Sequence, residues 1–272
     1  MNKIIRIIFL LCCIIIGTAP AIAQPAIGIN TETGYEIGAQ ISDYRYREHV
    51  NSGQLFVRET GPEAALTLKA IQAYNSYFLV GDLRAAYGEN HYSSPASGRE
   101  NGLKDYVGEA RILAGSDIIL WDCVNLTPYT GIGYRNLFND WSGVTTTGAG
   151  GYNRDSQYLY VPIGITPRFR ISSQSRLSFN TEYDRLVQGW QRSDLSDSDP
   201  TKPDITNKQN GGYGLRENIM YEEKTWSIGP FFNYWNIDKS ENKVYRVGAT
   251  NFVAYEPHNT TTEYGIQATL RF

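Results

Sequence analysis

The feature that most constrains this chain is a strict two-residue alternation of apolar and polar side chains. It recurs in short segments from residue 35 to residue 272. Successive side chains of an extended strand point to opposite faces, so each segment reads as a strand with one apolar and one polar face. In the first, Tyr35, Ile37, Ala39 and Ile41 alternate with Glu36, Gly38, Gln40 and Ser42. Similar segments cover 66–70, 77–87, 106–114, 124–135, 158–166, 177–184, 213–221, 226–234 and 263–272, with Glu217 interrupting one apolar side. That makes ten strands.

The connections alternate too. Short ones fall at Asn75-Ser76, Gly115–Asp122, Ser172–Ser175 and Glu223-Lys224, and long polar ones at 47–60, 89–104, 136–155, 187–211 and 239–259. Four short and five long connections are what ten antiparallel strands produce in a barrel with both termini at the short-turn end. A soluble sandwich has no reason to sort its loops by length. The predicted fold is therefore all-β, a single antiparallel β-barrel read as transmembrane, with eight or twelve strands as the neighbouring counts. A soluble barrel would show the same alternation with its apolar face in the lumen, so the girdle and terminal features below must decide.

Composition narrows the class further. The mean hydropathy is −0.39, and no apolar run long enough for a membrane helix follows the N-terminal segment. A net charge of −3 without a basic cluster argues against a nucleic-acid partner. Residues 1–23 read as a secretory signal peptide: Lys3 and Arg6 precede the apolar run Ile7–Ile16, and Ala21-Ile22-Ala23 forms an A-x-A cleavage site. Cys12 and Cys13 lack the small preceding residue that lipidation requires, since Leu11 or Cys12 itself occupies that place. Cleavage would leave residues 24–272 as one barrel domain beginning at Gln24. Cys123 would be its single cysteine, excluding an intramolecular disulfide.

A membrane barrel turns its apolar face to lipid and its polar face inward. The polar faces carry Lys69, Asp82, Arg84, Glu109, Arg111, Glu182, Asp184, Arg216 and Arg271, which would line the lumen. Eight strands already enclose an interior that side chains can fill, and unpaired buried charges are costly, so these charges are expected to pair. Inward glycines at Gly38, Gly108, Gly131, Gly133, Gly164, Gly229 and Gly265 would relieve crowding. Tyr44, Tyr87, Tyr134, Tyr183 and Tyr234 would form an interfacial girdle at one membrane edge, with Trp226 and Phe272 at the other.

The ending Tyr264-Gly265-Ile266-Gln267-Ala268-Thr269-Leu270-Arg271-Phe272 resembles the C-terminal β-signal of Gram-negative outer-membrane proteins. Tyr264, Ala268, Leu270 and Phe272 fit its alternate apolar positions and terminal aromatic. The resemblance implies a small outer-membrane barrel, with outer-membrane lipid and the barrel-assembly machinery as partners. No cofactor or metal is expected.

Catalytic signals are sparse. Omptin proteases share the strand number and carry Asp-Asp and Asp-His pairs near the outer rim. Here His49, His91 and His258 fall in the expected outer loops, and none follows an aspartate at two residues' distance. Asp197 and Asp199 lie in the polar stretch 193–204 and read as a solvated loop. Asn90-His91-Tyr92-Ser93 is similar to the His-x-Ser of outer-membrane phospholipase A, in which histidine activates serine. Strand parity would turn His91 and Ser93 outward, with Asn101 the nominal orienting group. The long loops carry aromatics among polar residues, as with Phe138, Trp141 and Tyr152, a composition suited to surface recognition. The expected role is a structural or surface-binding scaffold with a charge-filled lumen. A small diffusion channel for a solute ranks second, and a hydrolase third.

Overall fold

A computed structural model describes residues 27–50 and 53–272; the signal-peptide segment 1–23 and Gln24 lie outside the described residues. The strands are β1 (Gly34–Val50), β2 (Gln54–Tyr74), β3 (Tyr77–Ser94), β4 (Gly98–Ser116), β5 (Ile118–Trp121), β6 (Val124–Asp140) and β7 (Arg154–Arg170). They continue as β8 (Ser175–Ser193), β9 (Ile205–Gln209), β10 (Gly212–Glu223), β11 (Trp226–Ile237), β12 (Lys243–Val247), β13 (Thr250–Ala254) and β14 (His258–Arg271). Ten of them pair antiparallel in the order β1, β2, β3, β4, β6, β7, β8, β10, β11, β14, and β14 returns to pair with β1. The wall is thus a closed ten-stranded barrel. Its seam ends where the Phe272 amide donates to Tyr35 O and the Tyr35 amide donates to Phe272 O. The remaining strands lie off this wall: β5 pairs β6 beside a short turn, β9 pairs the far end of β8, and β12–β13 form a separate hairpin.

Alternation sorts the faces as lipid requires. Ile41 and Ile112, on the outer surface, are 67% and 58% exposed, whereas Gln40, Asp82 and Glu109 are buried inside. A water-soluble barrel would do the reverse. Glu217 remains on the outer face, where Thr181 Oγ1 donates to its carboxylate at 2.7 Å.

The long polar connections are mostly strand. Residues 47–50 and 54–60 continue β1 and β2, and 89–94 and 98–104 continue β3 and β4, leaving tight turns between them. About 9–11 residues suffice to cross a bilayer, whereas β1–β4 run to 17, 21, 18 and 19 residues. Above the membrane the ladder continues, but no lipid demands an apolar face, so the alternation that marks a strand fades. For the same reason His49 and His91 lie in strands, and His258 opens β14, rather than in loops.

Two side-chain placements also depart from expectation. Tyr44 is wholly buried and points inward, because it shares parity with Gln40 and Ser42; Tyr264, 40% exposed, occupies the interfacial position instead. Tyr87, Tyr134 and Tyr183 do face outward, and Tyr234 stacks there on Phe232. Gly108 faces outward with open space beside it, sharing parity with Tyr106. Crowding does explain Gly133 and Gly164. A Cβ at Gly133 would lie 2.2 Å from the Tyr160 ring, and one at Gly164 2.3 Å from the Tyr129 ring. Each glycine lets the tyrosine of the adjacent strand fold flat across the wall.

Candidate functional site

Three lumenal arginines each bond one carboxylate on a neighbouring strand and a second one across the barrel. Arg84 on β3 donates from Nη2 to Glu63 Oε1 at 2.6 Å and to Glu263 Oε2 on β14 at 2.7 Å. Arg111 on β4 donates to Glu182 Oε1 on β8 at 2.7 Å and also bonds Asp82. Arg216 on β10 reaches Asp184 Oδ2 at 2.7 Å and Glu109 Oε2 at 3.0 Å. Tyr129 and Tyr160 donate their hydroxyls to Glu182 and Glu109. Three guanidinium groups therefore hold six carboxylates in one layer. Arg135 adds a fourth cation, 3.6 Å from Glu263.

This layer separates two regions. Towards the short turns lies a cavity of about 510 Å³, bordered by Glu36, Lys69, Arg168, Arg176, Glu222 and Arg271. Lys69 lies 3.8 Å from Glu36, and Arg271 bonds both Glu36 and Glu222. The N-terminal residues 27–31 fold against this end. Arg176 donates to Gly28 O at 2.6 Å, Asn125 to Ile29 O at 2.9 Å, and the Thr31 amide to Asp117 at 2.7 Å. Towards the long loops the interior turns aromatic. Tyr46, Val57, Leu103 and Trp141 pack together, and the Arg154 guanidinium lies 4.9 Å from the Trp141 ring. Arg154 bridges Glu48 on β1 and Glu256, in the segment preceding β14. Burial pushes the Glu256 carboxyl up, against the pull of Arg154.

All nine charges singled out from the sequence line the interior. The network also recruits Gln40, Glu48, Glu63, Arg135, Arg154, Glu256 and Glu263. Glu63 and Glu263 share parity with neighbouring inward residues, a signal that was readable. Glu48 and Arg154 sit where the alternation has faded.

On the exterior, His91 Nδ1 lies 2.9 Å from Asn101 Oδ1 on the neighbouring strand, and Ser93 follows two residues along the same face. Asp197 and Asp199 are engaged within their own loop: Asp197 accepts from the Asn153 amide and Asp199 from Thr201. Cys123 is exposed in the turn between β5 and β6. Tyr264, Leu270 and Phe272 face outward on β14 and its end.

No family model matches the chain, and no curated protein matches it by sequence. Solved structures do. The outer-membrane protease OmpT from Escherichia coli superposes with a TM-score of 0.55 at 11% identity, over 87% of this chain and 97% of that one. The translocator domain of autotransporter NalP from Neisseria meningitidis aligns at a TM-score of 0.39 and 11% identity, over 89% and 90% of the two chains. Ail from Yersinia pestis aligns at 0.33 and 10% identity, over 89% and 100%. The likeness to OmpT shows the fold alone: a closed antiparallel β-barrel like that of this outer-membrane protein.

Proposed function

We propose that this protein is an exported outer-membrane scaffold whose lumen is closed, displaying a rigid rim at the cell surface. One observation carries this reading: Arg84, Arg111 and Arg216 reach across the barrel to Glu263, Glu182 and Glu109 and so tie distant strands together through the lumen. Opening a path would strip these charges of their partners, and breaking a buried pair costs about 3–5 kcal/mol. Ten strands also fall well short of the 16–18 that leave an aqueous channel. Purified, refolded protein inserted in a planar bilayer should carry no current. Discrete, reproducible conductance steps would overturn the closed scaffold in favour of a diffusion channel.

A second reading rests on a different observation, the bond between His91 and Asn101. It supplies the orienting partner that a His-activated Ser93 needs on the outer surface. The refolded protein would then hydrolyse a short-chain p-nitrophenyl ester. His91→Ala and Ser93→Ala would abolish the activity, and Asn101→Ala would weaken it. An inert wild-type protein would remove this reading.

A further inference from the structure

The outer surface above the tyrosines carries a row of arginines that the interior does not use. Strand register sets Arg47 on β1 opposite Arg58 on β2, Arg58 opposite Ser93 on β3, and Ser93 opposite Arg99 on β4. Residues in register share a face, and Tyr46, Val57 and Glu59, which flank the first two arginines, are buried inside. The row therefore faces outward, and Arg47, Arg58 and Arg99 are all exposed.

Their charge is uncompensated. Among the described residues none of the three has a carboxylate partner, whereas Arg45, one row nearer the membrane, is paired with Asp43 at 2.7 Å. The row between them and the membrane adds Thr60, His91 and Asn101 on the same strands, without an acid. Like charges directly opposite on neighbouring strands destabilise a sheet. Strands lie ~4.8 Å apart, so one anion can touch Arg47 and Arg58 together. Planar guanidinium groups match phosphate oxygens two at a time.

Height selects among phosphates. The interfacial level is marked by Tyr264, paired in register with Asp43, and by Tyr87 paired with Tyr106. Arg47 lies four residues beyond Asp43, ~13 Å along the strand or roughly 10 Å of height at a ~40° tilt. A bilayer's polar region is only about 5–8 Å deep on each side. The phosphates of a glycerophospholipid stop short of the row, and those on a larger sugar headgroup reach it.

We infer that Arg47, Arg58 and Arg99 form a docking surface on the barrel's exterior for the phosphates of a phosphorylated glycolipid in the surrounding leaflet. The inference rests on the long-loop end facing outward, as in the proposed scaffold. It requires neither a closed lumen nor hydrolysis, so a conducting or catalytically inert protein leaves it standing.

The test uses the refolded full barrel in phosphatidylcholine nanodiscs, with purified lipopolysaccharide as the probe. The triple variant Arg47→Gln, Arg58→Gln, Arg99→Gln should bind it at least tenfold more weakly, while the corresponding lysine triple retains part of the affinity. Phosphatidylglycerol in place of the glycolipid should give no difference between wild type and variant. Equal binding by wild type and variant overturns the inference, as does equal binding of dephosphorylated lipopolysaccharide. Displacement of the glycolipid by equimolar inorganic phosphate would assign the row to a free anion and overturn it too. Should the triple fail to show heat-modifiable migration, Arg58→Gln and Arg99→Gln are measured singly, and a loss in neither is decisive against it.

Discussion

Arg216 and Glu109 are 107 residues apart in the chain, yet Arg216 Nη1 donates to Glu109 Oε2 at 3.0 Å across the lumen. The same guanidinium bonds Asp184 and lies 3.1 Å from Glu182. One side chain on β10 therefore links β4 to β8 through the interior, independently of the wall's own ladder.

Its removal should be unequal to the removal of its partner. Arg216→Ala leaves several buried carboxylates short of a cation and should cost about 3–5 kcal/mol. Glu109→Ala leaves Arg216 bound to Asp184 and should cost distinctly less. Urea unfolding followed by tryptophan fluorescence measures both, with Trp235 close by at 5.7 Å from the Arg216 guanidinium. Equal losses would show that the network does not concentrate on Arg216.

Opening the layer should make the barrel conduct. Arg84→Ser combined with Arg111→Ser removes two of the cations crossing the lumen and leaves Glu63, Asp82, Glu182 and Glu263 behind. If the wild type is silent, as the proposed closed lumen requires, the double variant should give cation-selective steps in a planar bilayer. Anion selectivity, or silence with insertion verified, would place the obstruction elsewhere, for example at Trp141 and Arg154.

Loop deletions should separate display from architecture. Deleting 194–204 removes the segment between β8 and β9 and should preserve heat-modifiable migration. The wider deletion 187–211 cuts Val187–Ser193 out of the barrel wall and all of β9, and should abolish folding.

The same loop should loosen in acid. Asp204 is held below the usual aspartate range by the Ser196 hydroxyl, with the Ser196 amide and Arg192 adding to it. A depressed carboxyl stabilises the folded form above the unfolded-state value of about 3.9 and loses that contribution as pH falls from there through its lower folded-state value. An acid-active protease should nick the loop faster at about pH 3 than at about pH 5. Asp204→Asn should abolish the difference.

Phe272 should matter to assembly more than to stability. Its side chain is 77% exposed, and the seam is closed by its backbone with Tyr35. Phe272→Ala should lower the folded yield in cells severalfold, while changing urea stability of refolded protein by less than about 1 kcal/mol. A large stability loss would reduce the β-signal to a packing role.

Strand identity, strand number and the direction of each face were legible in the residues, because lipid imposes a solvent demand every second position. Tyr35 to Ile41 and Tyr264 to Phe272 answer that demand so regularly that parity alone assigns inside and outside. The terminal aromatic pattern was legible for the same reason: it is local.

Beyond the membrane the demand lapses, and legibility lapses with it. Residues 89–104 read as a loop because nothing there must be apolar, although the hydrogen-bonded ladder continues to a three-residue turn. The exterior row of Arg47, Arg58 and Arg99 was hidden within those stretches, since it exists through register between strands. The lumenal charges stood out individually, but their partners did not. Parity says that Arg216, Glu109 and Asp184 all point inward, and says nothing about which meets which. Closure of β14 on β1 brings distant strands within hydrogen-bonding reach in a narrow interior, and that geometry decides which charges meet.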